Sequence, residues 1–195
     1  YYAGHMFSFK KNYYLIIENT KDIDLSNVTK WNKFTSIFRN QQIKEKYSVL
    51  LNFRRNCKQR GISLYVANNI KLAKLINCDG IYLSSYNKNL KFLRFVSKKF
   101  KIIGSAHNSA EIDMKKKQGC TEIFLSRLFK TNYKNKKDYL GLIKFNLLIK
   151  KFNCNLCPLG GIRISNINRL NNVNAEAFAI WSEVKKKPAR ISRLF

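Results

Sequence analysis

The chain has 195 residues and 22.9 kDa, with 45% apolar residues and a formal charge of +27, which suits one domain with a full core and scarcely two. No stretch approaches the roughly 20 uninterrupted apolar residues that cross a bilayer. The five cysteines, Cys57, Cys78, Cys120, Cys154 and Cys157, are odd in number and set mostly in apolar segments, which argues against a disulfide-stapled secreted scaffold. A soluble cytoplasmic protein with reduced, buried thiols and no leader is expected.

Tyr1 to Met6, ending Gly4-His5-Met6, reads as a tag remnant ahead of a single domain over 7–195. Tyr13 to Ile17 (YYLII) and Phe34 to Phe38 (FTSIF) read as strands. Gln42 to Arg60 then carries Ile43, Tyr47, Leu50, Leu51 and Cys57 at helical spacing and stops at Gly61. From there strands and helices alternate. Strands are predicted at Ile62 to Val66, Gly80 to Leu83, Ile102 to Gly104, Glu122 to Leu125, Leu156 to Leu159 and Ala177 to Ile180. Helices are predicted at Ile70 to Ile76, Leu90 to Phe100, Ala110 to Gln118, Tyr139 to Phe152 and Ile164 to Leu170, before a short basic tail.

Strands separated by crossovers of helical length lie parallel, and eight such units match the α/β class and a closed (β/α)8 TIM barrel. A doubly wound open sheet is the competing architecture. The first strand, however, is not followed by the G-x-G-x-x-G turn of dinucleotide folds.

Lys and Arg number 38 against 11 acids, a field that attracts polyanions. Of the 38, 28 are Lys and 10 are Arg, so the residue better suited to two-point base and phosphate contacts is not favoured. The runs Lys98-Lys99, Lys115 to Lys117, Lys136-Lys137 and Lys185 to Lys187 are scattered and read as solvated helix faces. Cys154 and Cys157 form a lone C-x-x-C in a strand-like segment without a nearby His, which reads as core thiols rather than zinc ligands.

A barrel of this kind places function at the carboxyl ends of its strands. That selects Glu18-Asn19, Arg39-Asn40, Asn68-Asn69, Ser84 to Asn87, Ser105 to Asn108, Ser126 to Lys134, Gly160-Gly161 and Trp181-Ser182. Glycines after strand seven let backbone N–H groups approach phosphate oxygens, and Ser182 after strand eight adds a hydroxyl. A small phosphorylated ligand is therefore expected there. Gly161→Asp should abolish phosphate binding by charge and crowding and leave the fold mostly intact.

Several stretches then carry a resemblance. Leu72-Ala73, Cys78-Asp79-Gly80-Ile81-Tyr82-Leu83, Ile102 to His107, Pro158-Leu159-Gly160-Gly161-Ile162 and Ala175 to Ser182 resemble the thiamine-phosphate synthase and thiazole tautomerase (TenI-like) family over about residues 13 to 184. The resemblance implies a barrel of thiamine metabolism that handles thiazole phosphate and thiamine phosphate. In that family magnesium and basic residues hold a pyrimidine pyrophosphate while the thiazole nitrogen displaces pyrophosphate.

By the resemblance, Gly160, Gly161, Ser182 and Thr131 take the phosphate end, with Tyr133 replacing a second threonine. Arg39, Ser105 and Lys134 match the pyrophosphate end, but Ile37 and Gln41 stand where the family has Gln and Lys. The family's I-N-D-D is Val66-Ala67-Asn68-Asn69 and the Asp of its G-Q-E-D falls at Asn87, so by the resemblance the two magnesium positions hold Asn68 and Asn87. An amide oxygen carries no charge for a hard cation, so no cofactor is expected and magnesium-dependent synthase chemistry should be impaired.

The tautomerase histidine is Arg127 here, which stays protonated and is a poor base. His107 and Glu18 remain as catalytic candidates, His107 with a structural hydrogen bond as its competing role and Glu18 on location alone. The reading is a divergent family member that binds a phosphorylated thiazole or thiamine phosphate, either as an enzyme or as a non-catalytic binding barrel. An active synthase and a basic nucleic-acid-binding barrel stand as alternatives, with nucleic acid disfavoured; a homo-oligomer is compatible with the sequence.

Overall fold

A computed structural model describes residues 12–25, 34–40, 45–97, 99–131 and 138–181. Eight strands pair in parallel and in sequence order: β1 (Asn12–Ile17), β2 (Phe34–Phe38), β3 (Ser63–Ala67), β4 (Gly80–Leu83), β5 (Lys101–Ala106), β6 (Glu122–Ser126), β7 (Leu156–Leu159) and β8 (Ala177–Ile180). β8 closes on β1 through Asn12 to Leu15. The fold is the (β/α)8 barrel that the alternation predicts. Its strands are near-continuous apolar runs because both faces of the wall are covered, and β4, β7 and β8 are buried throughout.

Alternate residues fill the interior. Tyr14, Ile16, Ile37, Tyr65, Tyr82, Ile103 and Phe124 pack against the smaller Cys157, Ala177 and Ala179 of β7 and β8. The Phe124 ring meets Tyr14 edge-on at 4.8 Å and stacks on Tyr82 at 5.8 Å, so large rings on one side are matched by small side chains on the other. The intervening residues, Leu15, Ile17, Leu64, Val66, Ile123, Leu125, Phe178 and Ile180, form the outer core under the helices.

Four α-helices lie in that outer layer: α1 (Tyr47–Gln59), α2 (Ile70–Leu75), α3 (Ser109–Lys117) and α4 (Gly141–Phe152). Local chemistry sets their ends. Asn69 and Asn108 accept the Leu72 and Glu111 N–H groups at the starts of α2 and α3, and α4 stops at the left-handed Asn153. α1 begins at Tyr47 rather than Gln42: Lys46 is extended, and Glu45 instead accepts the Thr20 N–H at 2.8 Å. Residues 41–44 lie outside the described residues. Arg54 of α1 grips Asp79 at 2.8 and 3.0 Å, and Asp79 in turn accepts the Leu64 N–H, which ties α1 to the amino ends of β3 and β4.

Two segments expected as α-helices are 3-10 helices, Leu90–Phe95 and Ile164–Asn172. In the second, Asn166 accepts the Arg163 N–H and donates to the Gly161 carbonyl, each at 2.8 Å. Asparagine side chains that compete for backbone groups in this way favour tight turns over α-helix. The structure also corrects the reading of Lys115 to Lys117 as a solvated face, because Lys115 is 0% exposed.

None of the five cysteines forms a disulfide. Burial pushes Cys57, Cys78 and Cys120 up to about 12, which keeps them protonated at neutral pH. Of the C-x-x-C pair, Cys157 is buried in the barrel and Cys154 is half-buried. Among the described residues no helix is long and apolar enough to cross a membrane.

Candidate functional site

The strand exits gather at one mouth of the barrel, and the side chains there divide into three groups. The first is built around β7. Gly160 and Gly161 both have left-handed backbone, at φ +91 and +72, a conformation that glycine adopts without penalty. Close approach requires glycine a second time. A Cβ on Gly160 would lie 2.9 Å from Arg127 Cγ, and one on Gly161 would lie 2.5 Å from the Phe129 carbonyl oxygen. The expectation that Gly161→Asp leaves the fold intact is therefore overturned, since backbone rather than a movable side chain stands in the way.

The loop after β6 is stitched to this turn. The Leu128 and Phe129 N–H groups donate to the Leu159 and Gly160 carbonyls at 3.0 and 3.1 Å. Among the described residues, no protein acceptor takes the N–H of Gly161, whereas that of Gly160 faces Ala179 of β8, the partner of Leu159 in the barrel wall. Arg127 crosses over Gly160, donates from Nη1 to Thr131 Oγ1 at 2.8 Å and from Nη2 to the Asp138 carbonyl at 2.7 Å. The structure thus brings Gly160, Gly161 and Thr131 together, with Arg127 as the link. Ser182, the expected fourth member, lies outside the described residues.

The second group joins β8, β1 and β2. The Arg39 guanidinium sits 4.6 Å from the centre of the Trp181 ring, and Trp181 Nε1 donates to Glu18 Oε1 at 3.3 Å. Arg39 Nε is buried without a hydrogen-bond partner among the described residues. A guanidinium held over an indole face keeps its charge and its donors. Glu18 is thereby engaged by Trp181, and its own N–H donates to Asp22.

The third group spans β3 to β6. Asn68 has left-handed backbone, at φ +57; its Oδ1 accepts from the Ser84 N–H at 3.0 Å and from Asn87 Nδ2 at 3.1 Å. Its Nδ2 donates to Ser84 Oγ at 2.8 Å and Tyr86 Oη at 3.0 Å. Ser105 is buried and shares a hydrogen bond with Tyr82, whose phenol burial raises above its usual range. His107 Nδ1 bonds Ser126 Oγ at 2.7 Å, and the His107 N–H donates to Glu111, so this histidine ties the ends of β5 and β6. Lys134 lies outside the described residues. Among the described residues no cluster of three or more His, Cys, Asp or Glu side chains forms a metal site.

A family model for thiamine monophosphate synthase matches residues 32–184. The chain belongs to the thiamine monophosphate synthase family. The thiamine-phosphate synthase of Prochlorococcus marinus subsp. pastoris is 34% identical over 127 residues, which are 65% of this chain and 36% of that protein. That of Flavobacterium johnsoniae is 29% identical over 150 residues, 73% of this chain and 71% of its own. Thiamine phosphate pyrophosphorylase from Pyrococcus furiosus shares the fold, with a TM-score of 0.76 at 14% identity over 95% of this chain and 93% of its own. The chain spans only 36% of the length of the Prochlorococcus marinus subsp. pastoris relative, and 38% of that of the thiamine-phosphate synthase of Prochlorococcus marinus strain AS9601.

On this thiamine monophosphate synthase family barrel, sequence reasoning missed three participants. In the sequence Trp181 stands out only by its place at a strand exit, Arg127 only as a poor base, and Lys115 only as part of a basic run that reads as solvated. The one available signal was register: Trp181 continues the inward alternation of Ala177 and Ala179.

Proposed function

We infer that this barrel binds a small phosphorylated ligand, thiazole phosphate or thiamine phosphate, with its phosphate on the double-glycine turn. The observation that carries the reading is the pair of adjacent left-handed glycines, of which Gly161 has an N–H untaken among the described residues, in a chain of this family. An N–H left open in a glycine turn at a strand exit favours a phosphate oxygen. Thr131 Oγ1 accepts from Arg127, which leaves its own hydrogen to donate to the anion. Ser182 would add a second hydroxyl. Arg39, whose Nε lacks a partner among the described residues, Lys134 and Ser105 would take a pyrophosphate group by the same resemblance.

The magnesium implied by the family is a poor fit. Asn68 and Asn87 occupy the positions that the resemblance gives to its carboxylates. Their oxygens already accept hydrogen bonds, Asn68 Oδ1 from Ser84 and Asn87, and Asn87 Oδ1 from Asn89 at 3.0 Å. Two carboxylates so close would repel without a cation between them, whereas two amides satisfy one another. The reading is accordingly a family member that retains the phosphate end and has lost the charge that a metal needs.

The relatives' names favour a second reading, an active synthase joining a pyrimidine pyrophosphate to thiazole phosphate. Calorimetric titration with thiamine phosphate and with thiazole phosphate, beside a coupled synthase assay with magnesium, decides between them. Binding without turnover is expected. Turnover that depends on magnesium would establish the second reading, and failure to bind either phosphate would overturn the first.

A further inference from the structure

The most unusual charge in the molecule is not at its surface. Lys115 belongs to α3, yet its side chain turns inward and crosses β5 at Gly104. A Cβ on Gly104 would lie 2.8 Å from Lys115 Cδ and 2.9 Å from Cys120 Sγ, so the strand has given up a side chain to let the lysine stem pass. Beyond the strand, Nζ donates to the Ser84 carbonyl at 2.8 Å, the Asn87 carbonyl at 2.7 Å and Gln118 Oε1 at 2.9 Å. Three acceptors require three hydrogens, hence an ammonium rather than an amine. Gln118, also fully buried, donates to the Asn87 and Asn89 carbonyls at 3.1 and 3.0 Å.

Burying an ammonium against neutral oxygens alone is costly. Burial lowers the Lys115 pKa, with Cys120 and Glu111 acting the other way; no carboxylate among the described residues pairs with Lys115. An apolar side chain would fill the same space at less cost, so stability alone does not account for a lysine here. What the ammonium grips is informative. Ser84 and Asn87, which it holds by their carbonyls, are two of the residues whose N–H and side-chain groups hold Asn68 at the mouth.

We propose that Lys115 is a built-in cation that positions the loop after β4, and with it the Asn68–Asn87 pair, so that this side of the mouth is ordered without a divalent ion. Lys115 is a positioning residue, acting through the loop. The proposal rests on the reading of the mouth as the ligand end.

The test is amide hydrogen exchange over residues 84–89 of the ligand-free protein, in EDTA and in magnesium, with titration of inorganic pyrophosphate in both buffers. In the natural chain, loop exchange and pyrophosphate affinity are expected to be the same with and without magnesium. In Lys115→Met, exchange at the loop should speed by about tenfold to a hundredfold while β4 and β5 keep their protection. Pyrophosphate should then bind about tenfold more weakly, and thiamine phosphate unchanged. If that variant fails to fold, Gln118→Met and the two-buffer comparison on the natural chain remain as tests, the former with the same loop-confined loss. Loop exchange that slows on adding magnesium, or a Lys115→Met protein with unaltered loop exchange and pyrophosphate affinity, would overturn the proposal. The exchange measurement needs no ligand, so absent thiamine phosphate binding would count only against the double-glycine reading.

Discussion

The two ends of this barrel spend their polar groups differently. At the amino-terminal floor, Tyr14 and Glu122 hydrogen-bond to each other under burial that raises both above their usual pKa ranges, and Phe124, Tyr82 and Cys157 close the interior above them. At the mouth, the Gly161 N–H group and Arg39 Nε are left without protein partners among the described residues. Donors paired inside a fold contribute to stability; donors held in place and left untaken are available to a ligand. Substitutions at the floor should therefore move stability and spare binding, and those at the mouth should do the reverse.

The largest effect that could break this contrast is at the floor. Phe124→Ala, which empties the space between Tyr14 and Tyr82, is expected to cost about 3–5 kcal/mol in urea denaturation. The protein that remains folded should bind thiamine phosphate with unchanged affinity. Gly161→Ala should lower phosphate affinity by about tenfold or more in calorimetry, through the displaced turn. It should also cost about 1–2 kcal/mol of stability from its left-handed backbone, with a further penalty from the Phe129 carbonyl 2.5 Å from the new Cβ. At this position the contrast is sharpened rather than clean, because the binding surface is the backbone itself.

Arg127→Met is a milder test. It removes the donor to Thr131 Oγ1 and to the Asp138 carbonyl, and should weaken phosphate binding roughly threefold to tenfold with a loss of about 1 kcal/mol in stability. The smallest effect belongs to Glu122→Gln. Because its folded-state pKa is raised above 4.5, chiefly by burial, Glu122 favours the folded state most below that value, and the contribution is lost as pH rises through the elevated folded pKa. The glutamine variant should be more stable than the parent at neutral pH, by on the order of 0.5 kcal/mol. It should also lack the gain in stability on acidification that denaturation curves of the parent reveal.

The fold was legible because it rests on local periodicity. Eight short apolar runs separated by helix-length crossovers leave little choice of topology, and the closed order β1 to β8 follows. The two 3-10 segments were less legible, since Asn166 sits in an otherwise helical pattern and its choice of Arg163 and Gly161 as partners is tertiary. The double-glycine turn was visible as a pair of letters at a strand exit. That each glycine is required by a neighbouring loop was not, because Arg127 and Phe129 approach it from another strand.

What the sequence determined by itself was the barrel, its mouth and the residues standing at each strand exit, since period and position along the chain decide these. Only the tertiary structure decided what those residues do to one another. Lys115 reads as one more lysine in a basic run until Gly104 opens a path for it beneath the loop after β4. Asn68 and Asn87 read as two lost charges until their amides are found facing each other. A side chain's partners come from distant segments brought together by closure of the sheet, and no local pattern encodes which oxygen a buried ammonium will meet.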